Sequence, residues 1–344
     1  MRRLRFGIIG SGRAGLVHAR NLATLPRGEV VAACDPIAAT REAVAEELEL
    51  DAVYDNHADL LADTRVDAVV ITTPTFLHRE TACDAAAAGK HIFLEKPMAL
   101  TLRECDAINQ AVAGAHVKLQ IGFMRRFDRG FRRAKKVIDA GTLGRIMIIK
   151  STGRGPGGPG PWMWDLTKSN GIVAEVNSHD LDTLHWLTGQ RPVRAFAEAD
   201  NFKMPEAAER FPDFYDNVVA TLRFEDGAIG VVDGTCPAGY GYDARVEVLG
   251  EHGVLFIGSS QDRETFHITV DGEAHGRSFD SWRTLFRDAY RDELAAFIDA
   301  VLDDQPTLVN GQDGRAAVAA VLAINESIQT GAPVSVPIAS EVPA

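Results

Sequence analysis

The sequence predicts two domains: an α/β domain built on a doubly wound parallel sheet, then an α+β domain with a largely antiparallel open sheet. Over the first 122 residues, short apolar strands alternate with helical stretches, as in consecutive βαβ units. From residue 192 to residue 270, short strands separated by turns dominate instead. We therefore place the domains at residues 1–122 and 123–344 and allow the C-terminal helices to pack back on the first domain.

Length and composition limit the kind of protein. A chain of 344 residues is long for one hydrophobic core, and 46% hydrophobic with 24% charged residues is ordinary for a globular enzyme. The net charge of −12 argues against a general affinity for nucleic acid or anionic membranes. No signal-peptide pattern follows Met1, and no apolar run could span a bilayer. The cysteines form no Cys-x-x-Cys pair, which favours a reducing cytoplasm and no structural zinc. They are Cys34, Cys83, Cys105 and Cys236.

A glycine motif follows the first predicted strand, Phe6–Gly10. The run Gly10-Ser11-Gly12-Arg13-Ala14-Gly15 fits G-x-G-x-x-G, a helix pattern follows over 16–25, and the next strand ends in Asp35. Glycines at these positions let a pyrophosphate approach a helix N-terminus. Asp35 lies twenty residues after Gly15, where an acid accepts hydrogen bonds from an adenosine ribose. Strand, glycines, helix, strand and acid in this order predict a Rossmann dinucleotide-binding domain.

The residues after Asp35 favour NAD over NADP. Pro36 and Ile37 offer no cation for a 2′-phosphate. Arg41 is the one nearby residue that could accept such a phosphate, so the use of NADP as well stays open.

Two further strand ends are expected beside the cofactor, because open α/β sheets bind ligands at the carboxyl ends of their strands. The strand Val66–Ile71 ends in Thr72-Thr73-Pro74, and the strand Ile92–Leu94 ends in Glu95-Lys96-Pro97. Pro97 biases Lys96 towards extended or turn geometry. A desolvated lysine there could handle a proton or polarise a substrate. The alternative is a solvated Lys96 that pairs with Glu95 at a surface turn.

The rest of the first domain follows the same alternation. Thr101 and Glu104 have capping-box spacing at the start of one helix. We expect helices at residues 39–48, 57–62, 77–88 and 101–112, and strands at 53–54 and 117–122.

A basic run opens the second half of the chain. Residues 129–140 have a helix pattern, and in an acidic protein their charges fit a solvated helix face better than a nucleic-acid site. Arg125 and Arg126 lie at a strand end, where either could hold a hydroxyl-rich substrate. After a strand at 144–152, the glycines and prolines of Gly153–Pro161 exclude regular structure. This loop is either a substrate lid or a long connection.

The segment Gly171–Leu187 carries a second candidate for acid–base chemistry. If it is one helix, Glu175 and His179 share a face. A carboxylate one turn away fixes the tautomer of an imidazole and raises its basicity, as a general base for an alcohol proton requires. The alternative is a satisfied histidine between the domains. His185 lies well round the helix from His179, so we expect no metal site.

The remaining residues predict the second sheet and two final helices. Tyr240 and Tyr242 interrupt the sheet pattern and could contact substrate, although tyrosines in sheets are commonly packing residues. We expect strands at 193–199, 215–224, 228–236, 243–249, 253–257 and 264–270, and helices at 282–303 and 312–330.

With these residues in view, the chain resembles the Gfo/Idh/MocA family of oxidoreductases, and within it the bacterial inositol dehydrogenases. The resemblance runs from Leu4 to about residue 330. It rests on Glu95-Lys96-Pro97-Met98, Gly122–Asp128, Tyr240–Asp243 and Asp288-Ala289-Tyr290.

The resemblance implies roles for individual residues. The family has a catalytic lysine in its E-K-P motif and an aspartate and a histidine four apart after the loop, which implies Lys96, His179 and, in place of the aspartate, Glu175. The implied substrate contacts are Arg125, Arg126, Asp165, Tyr240 and Tyr242. The implied cofactor contacts are Gly10, Gly12, Arg13, Ala14, Gly15, Asp35, Thr72, Thr73, Pro74, His78, Glu95 and Lys96.

The resemblance also implies a reaction. It is the NAD-dependent oxidation of a ring hydroxyl of myo- or scyllo-inositol to the keto-inositol, by a cytoplasmic homotetramer or dimer. A pyranose dehydrogenase that makes a lactone from D- or L-glucose is the alternative enzyme. A sensor that binds NAD(P) without turnover is the alternative of another class.

Overall fold

The computed structural model describes residues 2–258 and 279–337. The chain forms two compact units. The first comprises Met1–Phe127 and Arg287–Arg315, and the second comprises Asp128–Phe286 and Ala316–Ala344. The sequence predicts one boundary between residues 122 and 123, whereas the chain leaves the first unit after Phe127 and returns to it at Arg287.

The strands and helices are numbered in chain order. Within the described residues the strands are β1 (Leu4–Ile9), β2 (Gly28–Cys34), β3 (Val53–Tyr54), β4 (Ala68–Ile71), β5 (His91–Leu94), β6 (Leu119–Ile121), β7 (Ile146–Arg154), β8 (Pro192–Asp200), β9 (Asn217–Phe224), β10 (Ile229–Thr235), β11 (Asp243–Gly250), β12 (Gly253–Ile257) and β13 (Val334–Ser335). The helices are α1 (Arg13–Ala23), α2 (Ala38–Leu48), α3 (His57–Ala62), α4 (His78–Ala87), α5 (Leu102–Ala115), α6 (Arg129–Asp139), α7 (Leu166–Ser169), α8 (Gly171–Glu175), α9 (Ser178–Thr188), α10 (Pro205–Arg210), α11 (Trp282–Leu285), α12 (Arg287–Leu302) and α13 (Gly311–Thr330).

The first unit is built on a six-stranded sheet in the order β3-β2-β1-β4-β5-β6. Every pairing in it is parallel, which confirms the predicted doubly wound sheet. Strand β4 is buried along its whole length, because helices cover both faces of such a sheet. The core under β1 includes Leu294 and Phe297 of α12, so this late helix packs as part of the first unit.

Local sequence signals set several helix ends in this unit. Thr101 and Glu104 form the predicted capping box, in which each side chain accepts the backbone N–H of the other residue. Gly89, just after α4, has φ of 71°, a conformation that glycine adopts without strain at helix C-termini.

The second unit is built on a seven-stranded sheet in the order β12-β11-β7-β10-β9-β8-β13. Among the described strands of this sheet only β7 and β10 pair in parallel, so the largely antiparallel sheet is confirmed. Burial alternates along β9, where Val218, Ala220, Leu222 and Phe224 face the core. The strand predicted at 264–270 lies outside the described residues.

In the second half of the chain one condition is not met and two predictions were wrong. Gly171–Leu187 is not one helix, because α8 ends at Glu175 and α9 starts at Ser178. The N–H groups of Val176 and Asn177 both donate to the carbonyl of Ile172, which widens the turn and interrupts the helix. Gly153 is not in a loop, because β7 continues through Arg154. The helix predicted at 282–303 is interrupted at Phe286.

No helix among residues 2–258 and 279–337 is both long and apolar enough to cross a bilayer.

Candidate active site

The loop between β1 and α1 is a turn that requires glycine at two positions. Gly10 has φ of 90°, and a Cβ on Gly15 would lie 2.1 Å from the Gly10 carbonyl oxygen. At Gly12, in contrast, nothing lies within 4 Å of an added Cβ. Gly12 is the N-cap residue of α1, so this open space adjoins the first N–H groups of the helix. Such a cradle fits a pyrophosphate.

Asp35 lies at the end of β2 and is buried. Its Oδ2 accepts the Ser11 N–H at 2.9 Å, and its Oδ1 accepts the Ile37 N–H at 2.9 Å. Each carboxylate oxygen can accept a second hydrogen bond, so the residue can also bind ribose hydroxyls. The Arg41 side chain donates to the backbone carbonyls of Asp35 and Pro36. The Arg41 side chain, which extends from α2, is therefore held by the backbone that follows β2.

His78, the first residue of α4, links the two other strand ends predicted to lie near the cofactor. Its Nε2 lies 2.8 Å from the Thr73 carbonyl oxygen, and its Nδ1 lies 2.8 Å from the Pro97 carbonyl oxygen. Burial lowers the pKa of His78, which works against the imidazolium form that alone could donate to both carbonyls. Thr72 donates its hydroxyl hydrogen to the Gly10 carbonyl. The predicted cofactor residues of β1, β4 and β5 are thus brought together at one edge of the sheet.

Lys96 follows β5 and is half-buried. The Glu95 side chain lies against the Lys96 backbone. The Glu95 Oε2 accepts the Lys96 backbone N–H at 3.0 Å, and its Oε1 lies 2.7 Å from the His18 Nε2. Gly122, at the end of the neighbouring strand, gives Glu95 its space, since a Cβ there would lie 3.2 Å from the Glu95 Cδ. The Glu95 carboxylate therefore holds the backbone from which the Lys96 side chain extends.

Arg125 and Arg126 lie on a 3-10 turn after β6, and both are buried. Arg126 forms an ion pair with Asp313 at 2.9 Å and lies 3.5 Å from the Leu308 carbonyl oxygen. The Arg126 guanidinium is thus bound within the first unit, and its role toward a substrate stays a prediction.

In the second unit, two glycines leave space for the start of α9, the helix that carries His179. Gly153 and Gly234 are directly opposite each other on β7 and β10. A Cβ on Gly153 would lie 1.9 Å from the Asp180 Oδ2, and one on Gly234 would lie 2.2 Å from the Asn177 Oδ1. The Asn177 amide donates to the Gly153 carbonyl and to Asp180. The buried His179 lies between these two anchors, whereas Glu175 is half-buried at the end of α8.

The other predicted substrate residues have definite partners in the second unit. Asp165 caps α7 by accepting the Thr167 N–H at 3.0 Å. The Tyr240 hydroxyl donates to Asp243 at 2.9 Å and accepts from Arg154 at 3.2 Å. Tyr242 is buried, and its ring packs edge-on against Phe286. Their contact with a substrate stays a prediction.

His18 and Glu293 lie beside Glu95 and were not predicted from the sequence. Both are fully buried. The available signal for His18 was its spacing, because it comes one helical turn after the glycine loop. Glu293 lies almost two hundred residues after Glu95, and no sequence signal connects the two.

These features define the class of protein. The glycine turn, the open space at Gly12 and the buried Asp35 fit a dinucleotide, and the strand ends beside them carry a lysine suited to polarising a substrate. This is the arrangement of a dinucleotide-dependent oxidoreductase.

Comparison with known proteins identifies the family. Residues 4–123 match the family described as "Oxidoreductase family, NAD-binding Rossmann fold", and residues 131–256 match the "GFO/IDH/MocA C-terminal domain". The chain belongs to the Gfo/Idh/MocA family of NAD-dependent oxidoreductases, as the sequence motifs predicted.

Several relatives match over nearly the whole chain. The myo-inositol 2-dehydrogenase of Thermotoga maritima is 34% identical over 95% of this chain and 96% of its own length. The scyllo-inositol 2-dehydrogenase (NAD(+)) of Bacillus subtilis is 34% identical, with 96% of each chain covered. The structure of scyllo-inositol dehydrogenase from Lactobacillus casei with bound NAD(H) and scyllo-inositol has a TM-score of 0.87 and 28% identity over 97% of this chain and 99% of that chain.

Proposed function

We propose that this protein oxidises one ring hydroxyl of an inositol, myo- or scyllo-inositol, to the keto-inositol with NAD as hydride acceptor. The observation that carries the proposal is the full-length similarity to inositol dehydrogenases of both kinds. Lys96 and His179, the residues to which family resemblance assigns the chemistry, are both present.

The proposed chemistry divides between three residues. His179 accepts the proton of the hydroxyl as general base. The role of Glu175 in orienting the imidazole rests on the family resemblance, because the break between α8 and α9 removes the shared helix face. Lys96 stabilises the negative charge that develops on the same oxygen. As the carbinol C–H bond breaks and the O–H bond is lost, a C=O bond forms. NAD, when bound, supplies the acceptor for the hydride.

The residues of the first unit would hold the cofactor. The open space at Gly12 and the N-terminus of α1 would receive the pyrophosphate, and Asp35 the adenosine ribose. Thr72, Thr73 and His78 would line the same edge of the sheet, where hydrogen bonds already join Thr72 to Gly10 and His78 to Thr73 and Pro97.

The test is NADH formation with a panel of myo-, scyllo- and chiro-inositols and D- and L-glucose, with NAD and NADP in parallel. We expect the strongest signal with an inositol and NAD. A stronger signal with glucose and an acid as the final product would instead identify a pyranose dehydrogenase. Binding of NAD without any turnover would support a sensor.

Variants of the two proposed catalytic residues test the mechanism. We expect Lys96→Ala and His179→Ala each to lower kcat about a hundredfold or more, the usual contribution of such groups, while NAD still binds. Lys150→Ala and His252→Ala are matched controls, because both residues are exposed. Near-normal turnover in either test variant would remove that residue from the mechanism.

We also propose that the protein forms homo-oligomers, dimers or tetramers, in the cytoplasm. Val219 on β9 and Val254 and Phe256 on β12 are exposed apolar residues of the second sheet, Phe256 by 74%, and a face of this kind supports association. All four cysteines are free thiols, which supports a reducing compartment. Sedimentation of a stable monomer at micromolar concentration would contradict the oligomer.

A further inference from the structure

Three ionisable side chains meet inside the first unit beneath Lys96. They are His18 of α1, Glu95 after β5 and Glu293 of α12. One side-chain nitrogen or oxygen from each lies within 4.8 Å of those of the other two. His18 and Glu293 are fully buried, and Glu95 is 7% exposed. We call these three residues the buried acid cluster.

The two carboxyl groups of the cluster have different partners. Glu95 accepts from the Lys96 N–H and from His18. Neither Glu293 oxygen has a hydrogen-bond partner among the described residues. The rings of Phe93 and Tyr290 pack against the His18 imidazole, so the surroundings are largely apolar.

Other charged groups lie on the elements that pack around the cluster. They are Lys96 after β5 and, on the 3-10 turn that packs against α12, Arg125 and Arg126. Arg126 is neutralised by Asp313. The polar Gln120 of β6 donates to the backbone carbonyl of Glu293 at 2.8 Å and fixes that turn of α12.

Two carboxyl groups this close in an apolar site do not both ionise. Burial alone would raise the pKa of Glu95, but the hydrogen bond and charge of His18, together with Lys96, hold it below its usual value. Burial and the charge of Glu95 raise the pKa of Glu293 well above its usual range. The proton therefore belongs on Glu293, the carboxyl that lacks donors.

We propose that Glu293 is a positioning residue. As a neutral acid it fills the space beside the ionised Glu95 carboxylate, so that this carboxylate keeps the one orientation in which it accepts the Lys96 N–H. The link to catalysis rests on the role proposed above for Lys96. The protonated state of Glu293 and its effect on the orientation of Glu95 do not depend on that role.

Glu293→Gln tests the charge, because glutamine is a neutral group of the same shape. A neutral Glu293 in the folded protein becomes ionised on unfolding once the pH exceeds its usual pKa of about 4.5. Wild-type stability should therefore fall relative to Glu293→Gln as pH rises from 5 towards the folded-state pKa. Thermal unfolding of both proteins between about pH 5 and pH 9 measures this difference. Glu326→Gln, on an exposed residue, is the control and should show no such trend.

Glu293→Ala tests positioning. We expect it to lower kcat about tenfold, equivalent to about 1.4 kcal/mol, with little change in KM for NAD, whereas Glu293→Gln stays near wild type. Hydrogen exchange at the Lys96 amide should be faster in Glu293→Ala and unchanged in Glu293→Gln. This readout needs no turnover, so it separates a failure of this proposal from a failure of the proposed function.

Several results would overturn the proposal. One is a stability difference between wild type and Glu293→Gln that does not change with pH. Another is wild-type kcat and amide exchange in Glu293→Ala. A third is a stoichiometric divalent metal that is lost in Glu293→Gln, because a carboxylate that binds a metal is ionised.

Discussion

The glycine loop and the buried acid cluster lie at the same edge of the first sheet, but they are built in opposite ways. The loop and its acid, Gly10 to Asp35, come from one short stretch of chain and leave open space at Gly12. The cluster joins residues 18, 95 and 293 and leaves its side chains buried. The loop depends on its backbone geometry and leaves space for a ligand. The cluster depends on ionisable side chains whose charges other groups of the protein must balance.

The largest expected effect is on the loop. In Gly15→Ala the new Cβ would lie 2.1 Å from the Gly10 carbonyl oxygen, so the turn must open. We expect NAD affinity to fall about a hundredfold, or about 2.7 kcal/mol, and the free energy of unfolding to fall by about 1–3 kcal/mol. Calorimetric titration with NAD and urea unfolding measure the two effects.

Gly12→Ala is the matched control for that prediction. Its Cβ enters open space, so stability should stay at the wild-type level while NAD binds more weakly. Equal stability of the Gly12 and Gly15 variants would show that the turn yields easily, and the contrast between loop and cluster would lose its structural basis.

A smaller effect is expected at Asp35. In Asp35→Asn an amide NH₂ would face the N–H of Ser11 or of Ile37, and the charge that favours ribose hydroxyls is lost. We expect KM for NAD to rise about tenfold, in line with hydrogen bonds to charged groups worth about 1.5–3 kcal/mol. We also expect the preference for NAD over NADP to become smaller. Asp51→Asn, on an exposed residue, should change neither. An unchanged ratio of KM values for the two cofactors would mean that Arg41 or another residue sets the preference.

The same contrast explains what the sequence could predict. The glycine turn, Asp35 and the capping box at Thr101 follow local rules of backbone geometry, and the structure has each in place. The position of α9 after the break was not predicted, because Asn177 and Asp180 at its start lie against two glycines of separate strands. No spacing rule connects Gly153 with Gly234.

The cluster was missed for a related reason. Glu95 was visible as part of a motif, but its partners His18 and Glu293 reach it only through the packing of α1 and α12 against the sheet. From the sequence alone, a buried glutamate on a helix also cannot be distinguished from a solvated one. The balance of buried charges is therefore the part of the site that only the three-dimensional structure reveals.

The smallest effect should come from crowding the cluster without changing its charge. In Gly122→Ala the Cβ would lie 3.2 Å from the Glu95 Oε1, so the carboxylate must shift by a few tenths of an ångström. We expect kcat to fall about threefold, or about 0.6 kcal/mol, with NAD affinity kept, as enzyme assays and NAD titration would show. Gly114→Ala on α5, where nothing lies within 4 Å of the new Cβ, should leave kcat unchanged and stabilise the protein by about 0.5 kcal/mol through helix propensity. If the two alanine variants were equally active, the orientation of Glu95 would tolerate displacement. The cluster would then act by its charge alone, and the pH dependence of Glu293→Gln would remain its only signature.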